Sequence, residues 1–232
     1  MQSSADKQQT WLAQGTISTN PGSELRSWLL APILALILIS GWMALTTGRI
    51  EPLRRNIVYI HVPAAISALV CFAVLFVCSV QYLIIKREKW DHIAAASAEA
   101  GLVFATALNV TGMIFARAEW GQWWTASPRL ISSAVLWFLY VAYLILRASL
   151  TSEQQRAKIS AVFGIIAFID VPLVLISARF VRDIHQPNAG FQTGWQYAAL
   201  GLTVCGMLLL AWLMIWIRAD ILKTDSELSN ID

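Results

Sequence analysis

The chain has 232 residues, 57% of them hydrophobic and only 13% charged, with a net charge of +3 at pH 7. A soluble domain is nearer about 45–50% apolar and about 25% charged, so an ordinary water-soluble globule is excluded. So small a positive charge calls for no nucleic-acid partner.

Residues 1–27 read as a polar, irregular tail, with Asn20-Pro21-Gly22-Ser23 as a turn. No short apolar core leading to a small-residue cleavage site lies near the start, so the first apolar run is expected to stay as an anchor. Six apolar runs follow, at 28–46, 62–85, 93–115, 130–146, 159–178 and 195–217. Each is close to the roughly 17–25 residues that cross a bilayer as a helix. The expected fold is all-α, a polytopic membrane protein with six transmembrane helices. Its parts are the tail 1–27, a membrane domain 28–217 with a tryptophan-rich loop at 116–130, and a C-terminal tail 218–232.

An even number of spans puts both ends of this chain on one side of the membrane. The first, third and fifth loops, 47–61, 116–129 and 179–194, then share the other side. Of the 17 Lys and Arg residues, ten fall on the terminal side, including all five lysines and the run Lys86-Arg87-Glu88-Lys89. The seven opposite are all arginine. The bias favours cytoplasmic termini, and arginine is the residue that meets carboxylates with a planar, bidentate fork. Membrane lipid surrounds the whole, and headgroup anchoring is the competing use of the same arginines.

The residues able to carry chemistry lie in the three loops opposite the termini. His61 stands in Tyr59-Ile60-His61-Val62-Pro63-Ala64-Ala65, where the first loop enters the second span. Pro63 suits a first helical turn, where its missing N–H would be unpaired anyway. The third loop carries Trp120-Gly121-Gln122-Trp123-Trp124-Thr125-Ala126-Ser127-Pro128-Arg129. The fifth carries Arg182-Asp183-Ile184-His185-Gln186-Pro187, with Pro187 and Asn188 marking non-helical chain. Asp183 or Gln186 is a candidate to orient the second nitrogen of His185. His92 falls on the opposite side and serves as an internal control.

Two histidines on one side suit bis-histidine metal ligation, which zinc, copper or heme iron would accept. The tryptophans favour heme, since a porphyrin buries a flat face that stacks on indoles, whereas a small ion needs no aromatic surface. An interfacial aromatic belt accounts for the scattered Trp28, Trp42, Trp195, Trp212 and Trp216, less well for three tryptophans within five residues. Arg129 and Arg182, nearest the motifs, are the candidates for the heme propionates. Two carboxylates fall within the spans. Glu99 is expected to reach water at the end of its helix. Asp170, beside Pro172, is expected to accept from Asn109 or Thr111. Cys71, Cys78 and Cys205 form no Cys-x-x-Cys, which excludes covalent c-type attachment and thiol–disulfide exchange; they read as packing residues.

Together these stretches resemble the heme-handling membrane proteins of cytochrome c biogenesis, most closely the heme exporter protein C family. That family carries a tryptophan-rich segment WGxWWxWDxR, matched by Trp120–Arg129 except that Ala126 and Ser127 replace its last Trp and its Asp. It also carries a histidine in Y-[IL]-H-V-P-A-A, matched at Tyr59–Ala65, and a second histidine before the last span, matched by His185. The resemblance implies a non-enzymatic protein of the bacterial inner membrane that holds non-covalent heme b at the periplasmic face. It would use His61 and His185 as axial ligands and Trp120, Trp123 and Trp124 as the presenting segment. The partners implied are heme, a membrane-anchored heme chaperone and the ABC transporter subunits of the maturation system. The alternatives are a b-type electron-transfer cytochrome and a divergent scaffold that has lost heme presentation. No Gly-x-x-x-x-Gly-Lys motif occurs, so nucleotide would be used by a partner.

Overall fold

The computed structural model describes residues 21–46, 56–180, 191 and 193–229, with side chains of 21–27 and 177–180 outside the description. The described residues form seven helices and no strand: α1 Pro21–Leu45, α2 Val58–Ile85, α3 Glu88–Trp120, α4 Pro128–Ser149, α5 Glu153–Ala167, α6 Asp170–Phe180 and α7 Gly194–Ser229. Six segments are long and apolar enough to cross a membrane, α5 and α6 together supplying the fifth. This is the all-α, multi-pass membrane fold that the apolar runs predict.

A turn of two residues joins α2 to α3. Lys86 closes α2 in the left-handed region, φ 56°, and its N–H reaches the Tyr82 carbonyl at 2.8 Å. Arg87 is extended and opens α3. So short a connection forces the two helices antiparallel. Their contact is close because α3 presents small residues, with Ala94, Ala98, Ala105 and Gly101 buried on its packed face. Helices already in lipid gain little from hydrophobic burial and associate through tight packing of such residues. A Cβ on Gly101 would stand 2.5 Å from Phe72 Cε1, and Phe72 in turn stacks on Tyr140 of α4 at 3.5 Å between centroids. Gly164 of α5 similarly admits Leu75, and Gly206 of α7 admits Ile37 of α1. The bundle therefore has α2 and α3 at its centre, α4–α6 to one side, and α7 to the other with α1 packed outside it.

Several boundaries differ from the expected ones. The second span begins at Val58, four residues before 62, so His61 is helical. The third runs on to Trp120. The fifth is broken at Phe168 and Ile169, where Ile169 N–H bonds to Ile166 and Val171 N–H to Phe168. The cause is Pro172, which has no N–H to give the Phe168 carbonyl. The last helix continues to Ser229, so most of 218–232 is helical. At the other end of the chain, α1 starts at Pro21 and takes in the last residues of 1–27.

The expectations for the intramembrane carboxylates are corrected. Glu99 does not simply reach water: Arg218 donates to both its oxygens, Nε to Oε2 at 2.6 Å and Nη2 to Oε1 at 3.1 Å. Asp170 does not take Asn109 or Thr111. Asn109 is engaged with Ala105 and Ser133, and Thr111 with His61. Asp170 is buried at the start of α6, and its Oδ2 has no hydrogen-bond partner among the described residues. Cys71 and Cys78 are buried packing residues, whereas Cys205 is exposed.

Candidate functional site

His61 is the fourth residue of α2, and Pro63 the sixth. Pro63 therefore sits inside the helix and cannot donate the usual bond back to the Tyr59 carbonyl; it is not the first-turn residue that the sequence pattern predicts. The His61 ring is half-buried against α3. Its Nδ1 lies 3.0 Å from Thr111 Oγ1. Gly112 follows, and a Cβ there would stand 3.2 Å from His61 Cε1 and 3.7 Å from Nδ1. Among the described residues, the α3 surface under the ring thus offers one hydroxyl and one missing side chain.

The tryptophan segment is built at the end of α3. Trp120 is the last helical residue, and its ring meets Phe115 edge-on at 5.6 Å. Gly121 terminates the helix with φ 73°, a conformation that glycine adopts without steric cost. Its N–H bonds to the Arg117 carbonyl at 3.1 Å. Arg117 also donates from Nη1 to the Gly121 carbonyl, and its guanidinium carbon lies 6.0 Å from the centre of the Trp123 ring. That contact is at the outer limit of a cation–π interaction, worth about 0.5–1 kcal/mol when exposed. Trp123 and Trp124 are 55% and 39% exposed, unlike core indoles. The chain re-enters helix at Ser127, whose hydroxyl accepts from Leu130 N–H at 3.4 Å, with Pro128 in the first turn. Arg129 lies half-buried in that same turn.

His61 and the tryptophans occupy the same end of the bundle at different depths. Nine residues of α3 separate Thr111 from Trp120, which at about 1.5 Å of rise per residue is roughly 13–14 Å. His61 is thus recessed below the segment and helical, instead of standing level with it at the edge of the first loop. His185 and Arg182 lie outside the described residues. What is described is Phe191, which stacks on Tyr59 at 5.9 Å and meets Tyr197 at 5.0 Å. The ends of α1, α2 and α7 converge there, around Ala44, Tyr59 and Ala199. His92 is in the first turns of α3, at the other end from Trp120.

Arg117, expected only as one of seven arginines on this side, and Gly112, which no motif marked, both belong to the site, and Thr111 meets His61 instead of Asp170. Arg117 was legible as the residue four before a helix-ending glycine, where a cation meets the last carbonyls. The role of Thr111 depends on the pairing of α2 with α3 and has no local signal.

Six spanning segments with a recessed histidine and an exposed tryptophan segment at one end define a multi-pass helical membrane protein with an aromatic site at one membrane face. The model of the family described as CcmC, heme exporter protein C, matches residues 9–230, and the chain belongs to that family. It is 29% identical over 137 residues to Heme exporter protein C of Escherichia coli (strain K12), covering 59% of this chain and 56% of that one. It is 29% identical over 175 residues to Heme exporter protein C of Paracoccus denitrificans, covering 72% and 73%. It is 28% identical over 139 residues to a putative cytochrome c biosynthesis ccmC-like mitochondrial protein of Marchantia polymorpha, covering 60% and 58%. The matched stretch thus spans a little over half the length of the Escherichia coli and Marchantia relatives.

The departure at Ala126-Ser127 has a structural reading. Ser127 caps α4, and serine and aspartate rank together as cap residues, so the exchange of Asp for Ser preserves the start of α4. Ala126 is exposed.

Proposed function

We propose that this protein handles heme for cytochrome c maturation in a bacterial inner membrane. It holds non-covalent heme b at the face opposite its termini, the periplasmic one, and passes it to a membrane-anchored heme chaperone beside ABC transporter subunits. His61 and His185 are the axial ligands, Trp120, Trp123 and Trp124 meet the porphyrin, and Arg129 and Arg182, joined by Arg117, receive the propionates. Heme is the cargo, and the protein makes and breaks no covalent bond to it.

The observation that carries this reading is the pair of exposed indoles, Trp123 and Trp124, held beyond the end of α3 above a recessed histidine. Indoles in a packed core have their faces covered; these offer theirs. The donor chemistry fits heme: a neutral imidazole for iron, flat aromatic surface for the ring and guanidinium groups for carboxylates. Support for His185 as second ligand comes from Phe191 on Tyr59. Six residues separate His185 from Phe191, at most about 20 Å of chain, and Tyr59 is two residues from His61.

The test is an absorption spectrum of the purified protein with and without added heme. A Soret band is expected, and its absence in both conditions sinks the proposal. His61→Ala and His185→Ala should each lower heme content while His92→Ala leaves it unchanged; equal loss at all three would mean misfolding and would count against the assignment.

A further inference from the structure

Thr111 Oγ1 lies 2.6 Å from the Ala107 carbonyl and 3.1 Å from the Leu108 carbonyl. A carbonyl can only accept, so the single hydroxyl hydrogen of Thr111 is given to the α3 backbone. What the hydroxyl has left for His61 is a lone pair. The nitrogen 3.0 Å away, Nδ1, must therefore carry the hydrogen. A neutral imidazole carries only one, so the ring's other lone pair is on Nε2. The other constraint is steric. Gly112 puts only hydrogen where a Cβ would be 3.2 Å from His61 Cε1, so among the described residues consecutive positions of α3 give the ring one polar contact and one close approach.

We infer that Thr111 is a positioning residue, locking His61 as the Nδ1–H tautomer and presenting Nε2 as the iron-binding nitrogen, with Gly112 supplying the room for the ring. The inference rests on the reading of His61 as a heme ligand. Thr111 itself touches no heme; it acts through the imidazole, as the hydrogen-bond partners of metal-binding histidines do. An acceptor on Nδ1–H makes the imidazole a better electron donor and favours ferric over ferrous iron. The same contact removes the need to select one tautomer at the moment of binding.

The experiment titrates the full-length protein in detergent with hemin. It reads the affinity from the Soret band and the midpoint potential of the bound heme. Thr111→Val keeps the shape and loses the acceptor; Thr111→Ser keeps the acceptor. Valine should weaken heme binding about 10–100-fold, the usual cost of losing such a partner, and move the potential positive. Serine should restore both values. Gly112→Ala should weaken binding whether or not the valine variant folds, since its methyl group would stand 3.2 Å from Cε1 and press the ring away from Thr111 by a fraction of an ångström. Valine matching wild type in affinity and potential overturns the inference, as does serine behaving like valine. If valine does not fold, wild-type affinity in Gly112→Ala overturns it. Undiminished binding in His61→Ala is a different result: it removes the heme-ligand reading itself.

Discussion

Arg147 on α4 meets both carboxylate oxygens of Asp91 on α3, Nη1 to Oδ1 at 2.7 Å and Nη2 to Oδ2 at 2.6 Å. The side chains keep only 11% and 9% of their exposure. A bidentate fork is the strong form of such a pair, and its value shows when one half is removed, because the other is left charged and buried. Asp91→Ala should therefore cost about 3–5 kcal/mol, read as a lowered thermal midpoint in detergent. A double replacement by apolar residues should be milder than the sum of the singles; strict additivity would mean that the two do not interact.

The second interhelical pair contrasts with it. Arg218 and Glu99 are 40% and 37% exposed, so solvent or headgroups compensate a lost partner. Glu99→Gln should shift stability by no more than about 1 kcal/mol. A loss as large as that for Asp91→Ala would show that this site is drier than its exposure indicates.

Gly101→Ala tests the centre of the bundle. The added methyl would sit 2.5 Å from Phe72 Cε1, and the phenyl ring has little room to move because it is fully buried and stacked on Tyr140. Overpacking of this kind costs about 1–3 kcal/mol or more. Gly201→Ala, with nothing within 4 Å of its Cβ position, is the control and should fold like wild type.

Ser127→Ala should cost about 0.5–2 kcal/mol through the lost cap, whereas Ser127→Asp should not. Hydrogen exchange at Leu130, whose N–H the hydroxyl receives, locates the effect. An aspartate variant exchanging as fast as alanine would refute the capping account of the departure from the family motif.

Arg117→Ala removes both the bond to the Gly121 carbonyl and the cation beside Trp123. Exchange across 121–127 should quicken while α2 is unchanged. The same rate in both proteins would leave the segment held by its backbone alone.

Most of the fold was legible because lipid simplifies the problem. A spanning segment needs length and apolarity, both visible in one dimension, and all six were found. Helix ends were less visible. Where α2 starts depends on how Asn56 and Ile57 enter the helix, and nothing in Tyr59–Ala65 distinguishes a prolyl residue in turn one from one in turn two. Pairings between helices were invisible. Asp91 with Arg147, Glu99 with Arg218 and His61 with Thr111 join residues 50 or more positions apart. The tryptophans were found because Trp120–Trp124 is a local cluster. Arg117, on the same segment, was missed because its role depends on the turn at Gly121.

The uninterrupted stretch of α3 between Thr111 and Gly121 works as a ruler. A helix advances about 1.5 Å and turns about 100° with each residue, so the count of residues here sets both the height and the compass bearing of the tryptophans relative to the histidine. One residue more would leave every local contact of the segment possible and still aim Trp120 a quarter-turn away. Chemistry at the two ends can drift by substitution, but the spacing between them is quantised, and a whole number of residues is the only adjustment open to it.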